Sequence, residues 1–243
     1  MKDYLSDIVQ HTFGLGMIDL VKVTGDSNDT SINAIAEDRS VIVEAKFKNP
    51  VPEFVGTFGM PNLNKLNTIL NIPEYKEDAQ LSINKQVRNN EEVPVGIHFE
   101  NKNGDFKNDY RFMMAEVVND KLKAIKFKGV KWNVDMVPTN ASIQRMKFMA
   151  SANSEETTFT AKTENGALKF FFGDASSHAG NFVFDNNVTG TLTKAWAWPV
   201  NAVISILGLP GDKTFKISDE GASMITVDSG IAQYSYIIPA QQK

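Results

Sequence analysis

Five pairs of adjacent carboxylates, Glu37-Asp38, Glu77-Asp78, Glu91-Glu92, Glu155-Glu156 and Asp219-Glu220, are the residues best suited to acid–base work. Two carboxyl groups in different environments can divide into a proton donor and a proton acceptor. All five pairs fall in turn-like or loop-end sequence, where solvated charge is the simpler explanation. Ser176-Ser177-His178 sets hydroxyls beside an imidazole along the chain, which says nothing about a catalytic pair in space. The only other histidines are His11 and His98, no two are at ligand spacing, and there is no cysteine. A thiolate metal site, a disulfide framework and a cysteine nucleophile are excluded together, and a histidine-rich metal centre has no support. Gly14-Leu15-Gly16 and Gly208-Leu209-Pro210-Gly211 lack the Lys-Ser/Thr ending of a phosphate-cradling loop. Neither a Gly-x-Ser-x-Gly elbow nor a His-Glu-x-x-His pair occurs. The chain reads as a non-enzyme without a cofactor.

Contact chemistry is better represented. Phe170-Phe171-Phe172 and Trp196-Ala197-Trp198 are either stacking platforms for bases or strands packed into a core. Met113-Met114 and Met146 with Met149 read first as core filler. Between Val117 and Lys131, five lysines (Lys121, Lys123, Lys126, Lys128, Lys131) face one acid, Asp120, for a local charge of +4. Their alternation with Leu122, Ile125, Phe127 and Val130 predicts a half-buried extended connector with one charged face. The residues before it carry 12 basic and 18 acidic groups, and those after it 8 and 10, so a total of −4 resolves into −6, +4 and −2. That balance excludes a uniformly basic nucleic-acid binder but leaves local basic faces open.

These residues must be positioned by a folded chain of 243 residues, enough for one large domain or two of about 120. Hydrophobic residues at 42% against charged residues at 22% allow a sizeable core. Met1–Asp7 places acids where a signal peptide has its apolar stretch, and no run approaches the roughly 18–20 apolar residues of a membrane span. A soluble, cytoplasmic protein with no membrane partner is expected.

Helical spacing of Leu5, Ile8, Val9, Thr12 and Phe13 predicts a helix over 3–13, stopped by Gly14 and Gly16. Strands are predicted at 21–23, 40–47 and 54–60. A helix follows over 62–71, with Leu63, Leu66, Ile69 and Leu70 on one face between Pro61 and Pro73. Strands at 80–86, 93–100 and 110–116 complete the first half. The second half predicts a helix over 142–151, strands at 157–163, 168–172, 181–185 and 192–198, a helix over 200–207, and strands at 214–217, 223–227 and 233–238. Pro61…Pro73 and Pro199…Pro210 bracket corresponding helices at offsets of 138 and 137 residues. The same shift places the N-terminal helix on the one beginning near Asn140. An internal duplication accounts for this more simply than chance does.

A duplicated helix–strands–helix–strands unit with a connector and no active site resembles the DNA polymerase sliding clamps. The nearest likeness is at the C-terminus, where Met224-Ile225-Thr226-Val227 and Gly230 through Ala240 look like that family's closing hairpin. Trp198-Pro199 through Leu207, then Thr214–Ile217, resemble its second inner helix and next strand. With two domains, the chain is most similar to the trimeric phage, archaeal and eukaryotic type, and most of all to a tailed-phage clamp in an infected cell. The fold implied is α+β: two similar domains in tandem (the DNA clamp fold), antiparallel sheets and two inner helices per domain. Boundaries would be 1–116 for the first domain, 117–131 for the connector and 132–243 for the second.

The resemblance implies a homotrimeric ring around double-stranded DNA, with a DNA polymerase and a clamp loader as partners. Residues facing DNA would be Lys2, Gln10, His11, Asn64, Lys65, Asn67, Gln144, Arg145, Lys147 and Asn201. A partner peptide would meet Ile35, Leu122, Ile125, Phe127, Tyr236, Ile238 and Pro239. Subunits would join through Tyr110, Arg111, Phe112, Met113 and Met114 of one copy and Asn181, Phe182, Val183, Phe184 and Asp185 of the next. The chain departs from the family in its lysine-poor helices, in Asp3 and Asp7 on the first helix, and in its lysine-rich connector. A virion-associated assembly protein, or a processivity factor of the same fold that does not encircle DNA, are the alternatives.

Overall fold

The computed structural model describes residues 1–76, 78–88, 91–123, 127–174, 176 and 178–241. The chain divides into two compact units, Met1–Ile125 with Ser229–Tyr234, and Lys126–Asp228 with Ser235–Lys243.

The first unit contains α1 (Lys2–His11), β1 (Leu20–Gly25), β2 (Thr30–Ile35), β3 (Ile42–Phe47), β4 (Gly56–Pro61), α2 (Leu63–Leu70), β5 (Gln80–Arg88), β6 (Glu91–Glu100), β7 (Lys107–Arg111) and α3 (Ala115–Lys121). Leu5, Ile8 and Val9 form the buried stripe of α1, and the chain turns away at Gly16, whose φ of 78° suits a residue without Cβ. Asn62, itself left-handed at φ 53°, turns the end of β4 directly into α2. That helix buries Leu63, Leu66, Ile69 and Leu70 and packs against α1.

Strands pair in the order β4-β1-β2-β3, all antiparallel, and β5-β6-β7 form a second antiparallel set. Ser229–Tyr234 belong to this unit, and Lys48 N donates to Ile231 O at 3.0 Å just beyond β3. The β1–β2 turn is held by the Asp26 carboxylate, which accepts from Asn28 N at 2.7 Å and Asp29 N at 2.9 Å.

The second unit contains β8 (Val134–Met136), α4 (Asn140–Ala152), β9 (Thr158–Glu164), β10 (Ala167–Phe172), β11 (Gly180–Asp185), β12 (Ala197–Pro199), α5 (Val200–Leu207), β13 (Asp212–Ile217), β14 (Ala222–Asp228) and most of β15 (Ala232–Pro239). Thr139 caps α4 by accepting from Ser142 N at 3.0 Å. The helix buries Ile143 and Met146 and lies against α5 and β11. Phe159, Phe170, Phe172, Phe184 and Phe215 fill the core with rings 4.5–6.3 Å apart. The Phe170-Phe171-Phe172 run is thus mainly a core strand, with Phe171 half-buried on the other side.

The duplicated grammar is visible in the elements. One helix, four strands, a second helix and three strands occur in this order twice: α1, β1–β4, α2, β5–β7 and then α4, β9–β12, α5, β13–β15. Strand neighbours repeat as well, since β12-β9-β10-β11 matches β4-β1-β2-β3. The architecture is α+β with antiparallel sheets and a helix pair in each unit.

Several predicted elements shift. The strand expected at 110–116 ends at Arg111: Phe112 N still donates to Val95 O, but Met113 then exchanges two backbone hydrogen bonds with Gly59 on β4. Met113 and Met114 are therefore outside β7. The expected extended connector begins instead as α3, because Val118 is buried against Gly59 by a helical turn. The strand at 192–198 shrinks to β12, with Thr193 and Lys194 held in a loop by Asp219. Strands β2 and β8 lie where no strand was read. β2 follows the turn-rich Gly25–Asp29, and β8 has only three residues.

Candidate nucleic-acid interface

The four helices of the two pairs share one sequence property: outside the buried stripes they carry few charges. Helices α2, α4 and α5 contain no acidic residue, while α1 contains Asp3 and Asp7. On α2, Asn64 and Lys65 are exposed and Asn67 is half-buried. Asn67 is also the acceptor for Asn71 Nδ2 at 3.0 Å. On α4, Gln144 and Arg145 are exposed and Lys147 is half-buried. Arg145 lies over the ring of Phe182, 5.6 Å from its centroid, so β11 steadies the guanidinium without covering it. On α5, Asn201 is exposed, and on α1 so is Gln10.

Two expected contact residues are placed otherwise. His11 is buried at 1% exposure, not on the polar face of α1. Its ring stacks on Tyr234, with centroids 4.6 Å apart, and Nδ1 lies 3.3 Å from Asp7 Oδ1. Asp7 Oδ2 accepts from Tyr234 Oη at 2.8 Å and Ser229 Oγ at 3.1 Å. An apolar stripe wide enough to include Asp7 and His11 is tolerable because their polar atoms find partners inside. Lys2 spends its ammonium on the carbonyls of Tyr75 and Lys76 at the end of a short 3-10 turn, so it is a structural cation.

Of the residues expected to meet a partner peptide, Tyr236 and Ile238 are fully buried in β15 and Pro239 is exposed. The first two are core, because β15 alternates its side chains into the packed face. Ile35 is half-buried at the end of β2, opposite Ile42. Leu122 is half-buried after α3. Phe127 is half-buried with its ring 5.9 Å from that of Trp132. Ile125 lies outside the described residues.

Both expected joining segments lie at sheet edges. β7 ends the β5-β6-β7 set, and β11 ends β12-β9-β10-β11. Phe182 and Phe184 point into the core, while Val183 and Asp185 are half-buried and Asn181 is exposed. Tyr110 is buried, and its hydroxyl donates to Pro61 O. Burial pushes that phenol far above its ordinary value, with Asp19 adding to the shift, so it stays a neutral donor. Phe112 stacks on Phe58 at 4.2 Å, Arg111 and Met114 are exposed, and Met113 is half-buried.

Two features, one polar and one apolar, escaped sequence reasoning. Asp219, which in sequence reads as half of a solvated carboxylate pair, organises a loop: it accepts from Thr193 N, Thr193 Oγ1 and Lys194 N at 2.7–3.1 Å, and its own N–H donates to Asn133 Oδ1 at 2.9 Å. Burial opposes its charge, but the donors of Thr193 and Lys194 outweigh it and hold the carboxyl below its ordinary value. Second, Phe148 is 70% exposed on α4. It follows Met146 by two residues, about 200° around the helix, which was the signal available. No group of three or more His, Asp or Glu suited to a metal occurs among the described residues. Nor is any helix among them long and apolar enough to cross a membrane.

No protein-family model matches the sequence, and no curated protein sequence does either. Solved structures do match. The PCNA of A. fulgidus, in a structure with the C-terminal region of FEN-1 bound, is 9% identical with a TM-score of 0.71 over 100% of this chain and 97% of that one. The PCNA of Thermococcus kodakaraensis is 12% identical with a TM-score of 0.67, covering 99% and 95%. A chain of the PCNA2–PCNA3 complex of Sulfolobus tokodaii is 11% identical with a TM-score of 0.66, covering 99% and 96%. Along its whole length, the chain has the fold of the sliding clamps.

Proposed function

We propose that this chain is a DNA sliding clamp that closes with two further copies into a ring around duplex DNA and tethers a DNA polymerase for processive synthesis. One observation carries the reading: the two repeats are equivalent strand for strand, yet only one of two equivalent edges is covered within the chain. In the first unit the start of β15 lies beside β3. The equivalent strand in the second unit is β11, and the equivalent of β15 is β7, and both are edges. Open edges expose unpaired backbone groups that must be blunted or paired. Pairing β7 of one copy with β11 of the next repeats the covered geometry and is a head-to-tail contact that closes as a ring. Tyr110–Phe112 and Asn181–Asp185 would form it.

Each unit's helix pair turns its polar face to the duplex, through Gln10, Asn64, Lys65, Asn67, Gln144, Arg145, Lys147 and Asn201. Few cations suffice, since encirclement holds the protein on DNA without tight phosphate contacts. Phe127 and Pro239 remain candidates for a partner peptide, as an aromatic anchor and an exposed rim. A clamp loader is the partner that a closed ring requires.

The test combines mass and topology. Sedimentation should give about three times 26.9 kDa. Loaded protein should stay on nicked circular DNA at high salt and leave when the circle is linearised. A monomer, or retention that ignores linearisation, would overturn the proposal.

A further inference from the structure

Helix α4 presents an aromatic ring to solvent where a globular protein has little reason to leave one. Phe148 is 70% exposed in the middle of a thirteen-residue helix whose buried stripe, Ile143 and Met146, lies on the opposite side. Its neighbours on the same face are Gln144 and Arg145 one turn before, and Ser151 and Ala152 one turn after, all exposed. The helix carries Arg145 and Lys147 and no acid, in a chain whose net charge is −4. Beyond it, Gly208 brings Lys147 close to α5, and Lys213 stands near enough to Lys147 to feel its charge.

A single ring surrounded by small and polar side chains is not the broad apolar patch that a protein interface needs. A lone aromatic beside Arg145, on a helix that also carries Lys147 and no acid, has the composition of a nucleic-acid stacking site, where cations follow the backbone and the ring takes a base. A phenyl group offers no hydrogen bond, so in DNA it can gain only from apolar faces. In a duplex the base faces are already stacked on one another. In a single strand they are free.

We infer that Phe148 is a stacking contact for unpaired bases, which gives the polar face of α4 a preference for single-stranded over duplex DNA. The inference rests on the reading of that face as DNA-directed. It adds a discrimination that cations alone do not make, because Arg145 and Lys147 meet phosphate in either form. Such a contact suits a clamp standing where a duplex gives way to a single-stranded template.

The test is fluorescence anisotropy at low salt with the full-length protein and two labelled probes, an oligo-dT of about twenty nucleotides and a hairpin duplex of similar charge. Phe148→Ala should lower the ratio of single-strand to duplex affinity about tenfold, within the range for loss of one stacked base. Phe148→Trp should keep or raise the ratio, and Phe148→Leu should lose it, since leucine keeps apolar area but not the π-face. The double substitution Arg145→Glu with Lys147→Glu should weaken both probes. An unchanged ratio in Phe148→Ala, or a ratio preserved in Phe148→Leu, overturns the stacking role while leaving the DNA-directed face intact. If the charge reversals change neither probe, the reading of the face itself fails. A lower sedimentation mass for Phe148→Ala with no change in the ratio would assign the ring to a protein contact and refute the inference.

Discussion

His98 shows how one side chain can report on an edge strand. Its Nδ1 is 3.0 Å from Asp109 Oδ1 on β7, the residue paired with it across the sheet, and its Nε2 is 3.4 Å from Glu100 Oε2. Asp109 also accepts from Asn84 on β5 at 3.2 Å, and Glu100 pairs with Lys107 at 3.2 Å. The Asp109 hydrogen bond raises the imidazole pKa, burial opposes it, and Glu100 raises it further. The contribution of this contact to stability is therefore fully present below the ordinary imidazole value of about 6.5 and is lost as pH rises through the raised one. Asp109 is shifted down, chiefly by His98, and Glu100 by Lys107 and then His98, so their share is lost as pH falls through those lowered values. The cluster is most stabilising between the ordinary carboxylate and imidazole ranges, about pH 4.5 to 6.5. An NMR titration should place the His98 midpoint above the ordinary value, and Asp109→Asn should bring it down. A midpoint unmoved by that substitution would contradict the pairing. The buried Asp7 invites a second residue-scale test. Asp7→Ala removes the acceptor that Tyr234 and Ser229 share, and should cost about 1–3 kcal/mol in urea unfolding. A loss well below that would mean the two hydroxyls are satisfied without it.

Elements with a strong apolar period were legible in the sequence, and the ones defined by tertiary contact were not. The period of Leu63, Leu66, Ile69 and Leu70 located α2 to within a residue or so, and the pairing of prolines located its repeat α5. α3 is not legible because the residues after it, Leu122 and Phe127, alternate with lysines like a strand, whereas the determinant is Val118 seated against Gly59 on β4, with three strands between them in the sequence. The site residues split in the same way. Lys65, Gln144 and Arg145 lie on the exposed faces that helical spacing predicts. His11, Tyr236 and Ile238 do not, since whether a polar or aromatic side chain is buried depends on partners far along the chain, as with Asp7 and Tyr234. Gly59 tests the element-scale point. A Cβ there would lie 2.9 Å from Val118 Cγ2 and 3.0 Å from Met113 Cβ. Gly59→Val should therefore destabilise the protein by about 1–3 kcal/mol through overpacking. Adding Val118→Ala should restore part of that loss, and a thermal melt of the two variants would show whether α3 is what crowds the site.

At the scale of the whole molecule, the proposed ring would reconcile an acidic chain with a role on DNA, since a protein held by encirclement needs closure more than charge. In that proposal, closure depends on the middle of β11. Val183 is the half-buried central residue of that edge strand, opposite Lys169 on β10, and its neighbours Phe182 and Phe184 anchor the strand to the core. Val183→Lys puts a cation at the edge, a device that natural sheets use to refuse a further strand. Lys169 opposite adds repulsion across the pair, of the order of tenths of a kcal/mol, too little to unfold a strand held by two buried rings. The variant should keep its circular dichroism spectrum and need at least about tenfold more protein to assemble, equivalent to about 1.4 kcal/mol per contact. Val183→Thr, β-branched and neutral, should assemble like the parent. If Val183→Lys assembled at the parental concentration with its fold intact, β11 would not be the joining edge, and the equivalence of the repeats would have no part in building the ring.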